Sequence, residues 1–216
     1  LKGADRVRKR PAVIFGSDGL EGCEHSFFEI FSNSIDEARE GYGNIIEITR
    51  FADGSIEVRD HGRGIPLDYN EKEQRYNWEL VFCELYAGGK YNNNSGGMYE
   101  YSLGLNGLGA CATQYSSEYM DVEVIRDGIK YSLHFEKGKN IGGLKKEPTK
   151  IRQTGSRVKW RPDTEVFTDI KIPLEFLQDT LKKQAMTNAG LRFVLYNETE
   201  TGMEMFEYYY ADGIVD

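Results

Sequence analysis

Apolar residues recur at helical spacing in several segments of the chain. The clearest segment is FFEIFSNSIDEA, residues 27–38, in which Phe28, Phe31 and Ile35 line up on one side. We therefore expect a helix over about residues 22–40, because glycines follow it directly. The same spacing predicts further helices in the following segments: 77–87, 174–188 and the end of 103–114.

Apolar and polar residues alternate in the other regular segments, which is typical of strands with one buried face. Asp53–Gly54 and Asp127–Gly128 each separate two such runs, and an Asp-Gly pair in this position predicts a hairpin. The predicted strand segments are 45–49, 55–60, 119–138 (two strands), 155–162 and 191–198. The order predicts an α+β fold, a sandwich in which helices cover one face of a mostly antiparallel sheet.

Two segments lack a regular pattern. Residues 6–11, RVRKRP, are basic and are expected to be loose. Residues 87–97, AGGKYNNNSGG, contain glycine and asparagine with almost nothing to bury, which predicts a loop.

Composition narrows the classes of protein to which the chain can belong. Its 216 residues carry a net charge of −8, which argues against a broad nucleic-acid surface. No apolar run approaches the ~18 residues that span a bilayer, so no membrane association is expected. The three cysteines and three histidines are scattered, which favours a cytoplasmic protein with reduced thiols over a zinc site. The chain starts at Leu1 and stops at Asp216 in mid-pattern, so we expect it to be part of a longer protein.

Polar residues cluster on a second face of the predicted helix 22–40. They are Glu29, Asn33, Asp36, Glu37 and Glu40. Such a face is usually solvated, and this segment alone does not distinguish a solvated surface from the wall of a site.

Two glycine-containing motifs suggest a ligand. Asp60 ends a strand in D-x-G-x-G, where a carboxylate can accept a hydrogen bond from an exocyclic amine while a flat base lies against the glycines. Residues 104–109, GLNGLG, precede a helix and can direct backbone N–H groups at an anion. Each motif is also common in turns, and neither is a Walker or a Rossmann signature.

In their order along the chain these motifs resemble the GHKL ATPase superfamily, and most closely the ATPase domains of the gyrase B and topoisomerase IV B family. The matching segments are RVRKRPAVIFG (6–16), SNSIDEA (32–38), DHGRGIP (60–66), YAGGKY (86–91) and TGSRVKWRPD (154–163). The resemblance covers essentially the whole chain. It implies the GHKL (Bergerat) two-layer sandwich, with ATP and Mg²⁺ as cofactors.

The resemblance also implies roles for individual residues. Glu29 is implied to activate the attacking water and Asn33 to hold Mg²⁺ on the phosphates. Asp36 is implied to support them, and Glu37 to pair with Arg63 beside the base.

Other positions match the family's nucleotide contacts. Asp60 is implied to bind the adenine amino group, with Ser156 serving the same bound water. Lys90 is implied to be a phosphate contact of catalytic importance. Gly64, Ile65 and Pro66 are implied to form the edge against the base, and Leu105, Asn106, Gly107, Leu108 and Gly109 to cap the triphosphate.

The resemblance further implies partners and a domain boundary. The parent enzyme is expected to act on DNA with a topoisomerase A-type subunit, and to dimerise through B-subunit arms when ATP binds. Residues 1–203 are assigned to the ATP-binding domain and 204–216 to the start of a transducer domain. This chain by itself is expected to be monomeric, with little turnover.

Three departures from the family pattern leave alternatives open. Asn106 replaces a histidine, Ser132 replaces an arginine, and residues 12–19 replace a Gly-Met-Tyr-Ile-Gly run. The chain could therefore belong to a divergent paralogue, or be a non-catalytic ATP-sensing module. A histidine-kinase-type phosphotransfer domain is a third interpretation, which Glu29 opposes because a water-activating glutamate is a hydrolase feature.

Overall fold

The computed structural model describes residues 3–85 and 109–212. Its helices are α1 Ala4–Lys9, α2 Pro11–Phe15, α3 Leu20–Arg39, α4 Asn77–Cys83, α5 Gly109–Tyr115 and α6 Leu174–Thr187. Its strands are β1 Ile45–Arg50, β2 Ile56–Asp60, β3 Tyr69–Asn70, β4 Arg75–Tyr76, β5 Ser117–Arg126, β6 Ile129–Glu136, β7 Lys139–Asn140, β8 Lys145–Pro148, β9 Gly155–Pro162, β10 Arg192–Thr199 and β11 Gly202–Tyr208.

One large sheet organises the described part of the chain. Its strand order is β11-β10-β1-β2-β9-β5-β6-β7, and β8 also pairs with β6. Strands β1 and β10 are parallel, whereas the other pairs are antiparallel. Strand β2 lies between β1 and β9, so that Asp60 is opposite Ser156 on β9. This pairing brings two sequence-predicted site residues together at one end of the sheet.

The core lies between the sheet and the helices that cover one of its faces. Alternate residues of the strands point to this face, as the period-2 pattern predicted. The apolar stripe of α3 packs directly on them: Phe31 stacks on Phe193 with ring centroids 5.7 Å apart, and Phe27 lies 6.5 Å from Trp160. These four aromatic side chains are fully buried. The two-layer α+β sandwich is therefore confirmed.

The opposite face of the sheet carries charged side chains joined by ion pairs across strands. Arg157 on β9 pairs with Glu57 on β2, at 2.5 Å, and with Glu123 on β5, at 3.7 Å. Lys130 on β6 also pairs with Glu123, at 3.5 Å. Pairs of this kind on a solvated surface contribute little to stability individually.

The expectation of a loose start is wrong, because the basic segment is helical and anchored. Arg8 on α1 donates from Nη2 to Asp163 Oδ2 at 2.5 Å and from Nη1 to the Tyr115 carbonyl at 3.1 Å. Only 15% of the Arg8 side chain and 3% of the Asp163 side chain are exposed. Arg8 thus anchors the helix to a carboxylate that is distant in the sequence, and no local pattern shows that partner.

The remaining differences concern additional elements and element ends. Helix α2 and the short strands β3, β4, β7 and β8 lie in segments for which no element was predicted. Strand β11 continues the main sheet through β10, from Gly202 to Tyr208. The predicted domain boundary at residue 204 falls inside this strand and stays a prediction. Helix α4 ends at Cys83, earlier than predicted. No helix within the described residues is long and apolar enough to cross a membrane.

The Arg8–Asp163 pair provides a test of how the first helix is held. We expect Arg8→Met to lower the free energy of unfolding by about 3 kcal/mol, because it leaves a buried carboxylate without its cation. Arg192→Met is the matched control, since Arg192 and Glu207 are 38% and 40% exposed and such pairs contribute at most about 1 kcal/mol. Urea unfolding at neutral pH measures both. Equal effects of the two variants would contradict the anchoring role.

Candidate nucleotide-binding site

Three polar side chains of α3 are buried although they belong to its polar face. Glu29, Asn33 and Glu37 are 6%, 4% and 4% exposed, which excludes a solvated surface at these positions. They follow one another at intervals of four residues and therefore lie along one side of the helix. Asp36 is half-buried and Glu40 is exposed. The acidic face is thus divided into a buried polar row and a solvated remainder.

Glu29 lies where α3 meets the start of α5. Burial raises the pKa of the Glu29 carboxyl, while the charge of His25 and hydrogen bonds from the Gly109 backbone amide and His25 oppose that rise. A carboxylate with a raised pKa is a stronger base than an exposed one.

His25 is a site residue that sequence reasoning missed. Its Nδ1 is 3.1 Å from the Phe15 carbonyl oxygen, and its Nε2 is 3.4 Å from Glu29 Oε1. A carbonyl can only accept, so Nδ1 carries a hydrogen and Nε2 faces the carboxylate. The spacing of four residues between His25 and Glu29 was the available signal, because it places both side chains on one side of a helix.

Asn33 has an amide oxygen without a partner. Its Nδ2 donates to the Glu29 carbonyl at 3.2 Å, whereas its buried Oδ1 has no hydrogen-bond partner among residues 3–85 and 109–212. Buried polar atoms rarely stay unpaired, so this oxygen is available to a ligand or an ion.

Asp60, at the end of β2, receives three hydrogen bonds. Ser34 Oγ donates to its Oδ2 at 2.6 Å and the Gly62 amide to its Oδ1 at 3.0 Å. The backbone of Ser156 supplies the third. Burial raises the pKa of Asp60, these bonds oppose the rise, and the charge of Glu37 adds to it.

Glu37 and Arg63 form the charged side of the site. Arg63 Nη2 is 2.5 Å from Glu37 Oε1, and the Arg63 backbone amide donates to Glu37 Oε2 at 2.8 Å. The guanidinium also lies 4.0 Å from the centre of the Tyr42 ring. The pairing expected from the sequence is present.

The segment after Arg63 runs beside β9 and β5. The Ile65 amide donates to Ser156 Oγ at 2.8 Å, and Arg126 Nη1 donates to the Gly64 carbonyl at 3.1 Å. Gly64 has φ +94°, a left-handed backbone that favours glycine. Pro66, which follows Ile65, is buried as well. These contacts fix the backbone next to Asp60.

The structure therefore brings together most of the predicted site residues. They lie on α3, at the end of β2 and in the segment that follows it, on β9 and at the start of α5. Gly109, the first residue of α5, belongs to the same group through its contact with Glu29. Among the described residues no cluster of three or more His, Cys, Asp or Glu side chains is suited to hold a metal. The predicted residues that lie outside the described ranges are Lys90, Leu105, Asn106, Gly107 and Leu108.

Gly62 tests how closely the site is packed. A Cβ added there would lie 2.8 Å from Glu37 Oε2 and 3.0 Å from Glu37 Cγ. We expect Gly62→Ala to lower the free energy of unfolding by about 1–3 kcal/mol, because the Glu37–Arg63 pair must shift. Gly19→Ala is the control, since its Cβ would meet nothing closer than 3.4 Å. Thermal and urea unfolding compare them, and an unchanged Gly62→Ala variant would contradict the close packing.

Comparison with known proteins identifies relatives over the whole chain. It is 40% identical to the DNA gyrase B protein of Synechocystis sp. over 215 residues, which are 99% of this chain and 20% of the relative. It is 36% identical to the DNA gyrase B protein of Thermotoga maritima over 219 residues, covering 100% of this chain and 33% of the relative. It is 38% identical to the DNA topoisomerase 4 B protein of Staphylococcus aureus over 216 residues, covering 99% of this chain and 32% of the relative. The chain thus spans a fifth to a third of these relatives.

The solved structures that resemble this fold come from the same two types of protein as the sequence relatives. The 43K ATPase domain of Thermus thermophilus gyrase B, solved with an aminocoumarin, superposes with a TM-score of 0.81 at 31% identity, covering 99% of this chain and 53% of that one. The topoisomerase IV ATP-binding domain of Francisella tularensis, solved with a small-molecule inhibitor, gives a TM-score of 0.80 at 29% identity, covering 99% and 55%. No protein-family model matches the chain. From its sequence relatives and its fold together, the chain belongs to the family of gyrase B and topoisomerase IV B ATPase domains.

Proposed function

We propose that this chain is the ATP-binding and ATP-hydrolysing domain of the B-type component of a type IIA DNA topoisomerase. The observation that carries the proposal is the buried polar row of α3, which faces the end of β2. Glu29, Asn33 and Asp60 lie buried together there, although burial of such groups costs stability. Asp60 forms the base-binding end of the site, and Glu29 and Asn33 form the end that faces the phosphates.

At the base-binding end, Asp60 can accept a hydrogen bond from an exocyclic amine. The Gly64 and Ile65 backbone next to it is held by Arg126 and Ser156, which leaves a fixed edge for a flat ring. The Ser156 hydroxyl accepts from Ile65 and keeps its own hydrogen for a further acceptor, such as water. This donor and acceptor set suits adenine.

At the phosphate end, the residues present fit a magnesium ion that is held mainly by a nucleotide. Mg²⁺ takes oxygen ligands, often one or two from protein and the rest from phosphates and water. Asn33 Oδ1 is a buried oxygen of the polar row that has no hydrogen-bond partner among the described residues, so Asn33 is the residue that would hold the ion. When bound, the ion neutralises charge that develops on the phosphates.

Glu29 is the base that would take the proton from the attacking water. Its raised pKa favours proton transfer near neutral pH. His25 is a positioning residue: its Nδ1–H is fixed by the Phe15 carbonyl and its Nε2 faces Glu29 Oε1. The hydrogen bond from His25 to Glu29 keeps the carboxylate oriented.

Several finer assignments belong to the same proposal. Asp36 supports the magnesium end from the next turn of α3, and Glu37 holds Arg63 beside the base. Lys90 and the backbone of residues 105–109 contact the phosphates. Because the Gly109 amide already contacts Glu29, we expect it to couple phosphate binding to the orientation of the base.

The activity of the whole protein is proposed from its relatives, of which this chain spans a minor part. ATP binding by two such domains would close a clamp around DNA, and hydrolysis would reopen it. A topoisomerase A-type subunit would complete the enzyme. The same proposal assigns the protein to the cytoplasm, where it would act on DNA.

A non-catalytic ATP-sensing module is the second candidate. The contact of His25 with buried Glu29 disfavours it, because a pure binding site gains nothing from a buried base that a second side chain orients. A histidine-kinase-type domain is disfavoured because a water-activating glutamate is a hydrolase feature.

Nucleotide binding tests the proposal directly. We expect Asp60→Asn to weaken binding of a Mg²⁺–ATP analogue at least about tenfold, because an amide that faces the amine with its NH₂ group cannot accept from it. Calorimetric titration of the wild-type chain and the variant measures this. Arg192→Met serves as the control, because the Arg192 side chain contacts Glu207 and Tyr209 rather than the site residues. Equal affinities for wild type and Asp60→Asn would refute the assignment of the base.

Hydrolysis tests the catalytic part. We expect Glu29→Gln to reduce the single-turnover rate by roughly 10²–10⁴-fold, because a neutral amide cannot take a proton from water. Affinity for the ATP analogue should stay within about twofold of wild type, since the amide keeps the shape of the side chain. Labelled ATP with the chain in excess detects slow turnover. A hydrolysis rate equal to that of wild type would remove Glu29 from the mechanism.

A further inference from the structure

Residues 137–152, which contain β7 and β8, form a basic edge of the sheet beside β6. This basic edge includes six Lys or Arg residues and one Glu. The whole chain has 27 Lys or Arg against 35 Asp or Glu, so the rest of it holds 21 cations and 34 anions. The one carboxylate of the basic edge, Glu147, is 3.7 Å from Lys130 Nζ on β6. Positive charge is therefore concentrated here in a chain whose net charge is −8.

Strands β7 and β8 are two pieces of one extended segment. Both pair with β6 on the side away from β5, β7 beside Glu136 and β8 beside Ile129–Ser132. The Thr149 amide continues this segment by donating to the Gly128 carbonyl at 3.0 Å. At about 3.4 Å per residue, the basic edge follows β6 for about 24 Å. All of β8 is exposed, and no strand of the described residues pairs with its outer side.

Most cations of the basic edge lack a carboxylate partner. Four exposed side chains form no ion pair with any group in residues 3–85 and 109–212. They are Lys139, Lys145, Lys150 and Arg152. The other two cations have contacts within the protein: Lys137 is 3.0 Å from Glu165, and Lys146 lies 5.7 Å from the centre of the Tyr131 ring. Four cations are thus left for an external anion.

Protection of a sheet edge does not account for this charge. Charged side chains on an edge strand do prevent pairing with other sheets, but a few charges are enough for that purpose. The edge strand at the other end of the sheet, β11, carries Glu204 and Glu207 and no Lys or Arg. Six cations on one edge and none on the other favour a ligand with many negative charges.

We propose that the basic edge binds the phosphate backbone of duplex DNA. Duplex DNA carries one negative charge per about 1.7 Å of its axis, so an edge about 24 Å long faces several phosphates. Lysine is a flexible point charge, which suits backbone contacts that carry no sequence information. Charges farther away than about 8 Å are largely screened at physiological ionic strength, so the acidic remainder of the chain does not cancel the basic edge. The choice of DNA as the polyanion rests on the proposed function.

Fluorescence anisotropy with a short labelled duplex tests the proposal from 50 mM to 200 mM salt. The test variant combines four substitutions: Lys139→Gln, Lys145→Gln, Lys150→Gln and Arg152→Gln. We expect it to bind at least about tenfold more weakly than wild type at 50 mM salt. The slope of log affinity against log salt concentration should become shallower by about 3, because each phosphate contact contributes roughly 0.9.

A matched control separates the basic edge from the net charge. It combines Lys72→Gln, Lys171→Gln, Lys182→Gln and Lys183→Gln. These four side chains are also exposed and lie outside residues 137–152, so the control changes the net charge by the same amount. Its affinity for the duplex should stay within about threefold of wild type, because distant charges are screened. Equal weakening in the two variants would refute the proposal.

Two further measurements separate this inference from its alternatives. Unlabelled duplex and polyglutamate of equal total charge compete for the labelled complex. If polyglutamate competes as well as duplex, the basic edge fits an acidic protein and the choice of DNA is wrong. Calorimetry with the Mg²⁺–ATP analogue is done on the same preparations. A wild type that binds the analogue but not the duplex refutes this inference and leaves the nucleotide site standing. A wild type that binds the duplex through the basic edge but not the analogue supports the inference and refutes the proposed function.

Discussion

The site depends on the burial of one polar row on a helix that also packs an apolar stripe on the sheet. Phe27 and Phe31 fix α3 against β9 and β10. With the helix fixed, Glu29, Asn33 and Glu37 must enter the protein interior beside it. Buried polar groups need partners, and these come from the end of β2, the following loop and the start of α5. The geometry of the site follows from the hydrogen bonds and ion pairs that these three side chains make.

The partners are distributed unevenly, and the unevenness matches the proposed chemistry. Glu37 receives a guanidinium and a backbone amide from Arg63 and is fully paired. Glu29 and Asp60 contact no Arg or Lys in the described residues, and burial raises the pKa of each. Asn33 keeps an unpaired oxygen. Buried polar groups that lack such partners lower the stability of the fold. They are typical of binding and catalytic sites, where a ligand supplies the missing hydrogen bond or charge.

The rest of the fold keeps this end of the sheet in place. The Arg8–Asp163 pair holds the first helix, and α2 carries the Phe15 carbonyl that fixes His25. The N-terminal segment therefore reaches the proposed base through one imidazole. A shift of α2 would move the Phe15 carbonyl, and with it His25 and the contact of His25 with Glu29. The N-terminal helices therefore help to position Glu29.

Local patterns in the sequence determined most of the elements, because each depends on neighbours along the chain. Period-2 alternation and the two Asp-Gly turns were sufficient for β1, β2, β5, β6, β9 and β10, and the α3 stripe was sufficient for the long helix. The family motifs predicted roles for Glu29, Asn33, Asp60 and the Glu37–Arg63 pair, and these roles stay predictions. Tertiary structure alone decided what depends on distant partners. Asp163 holds the N-terminal helix through Arg8, and buried Asp60 accepts a hydrogen bond from Ser34, a helix residue brought beside a strand end. A hydrogen bond between residues 26 positions apart has no local signature, since sequence patterns report which face a residue takes and not what it meets there.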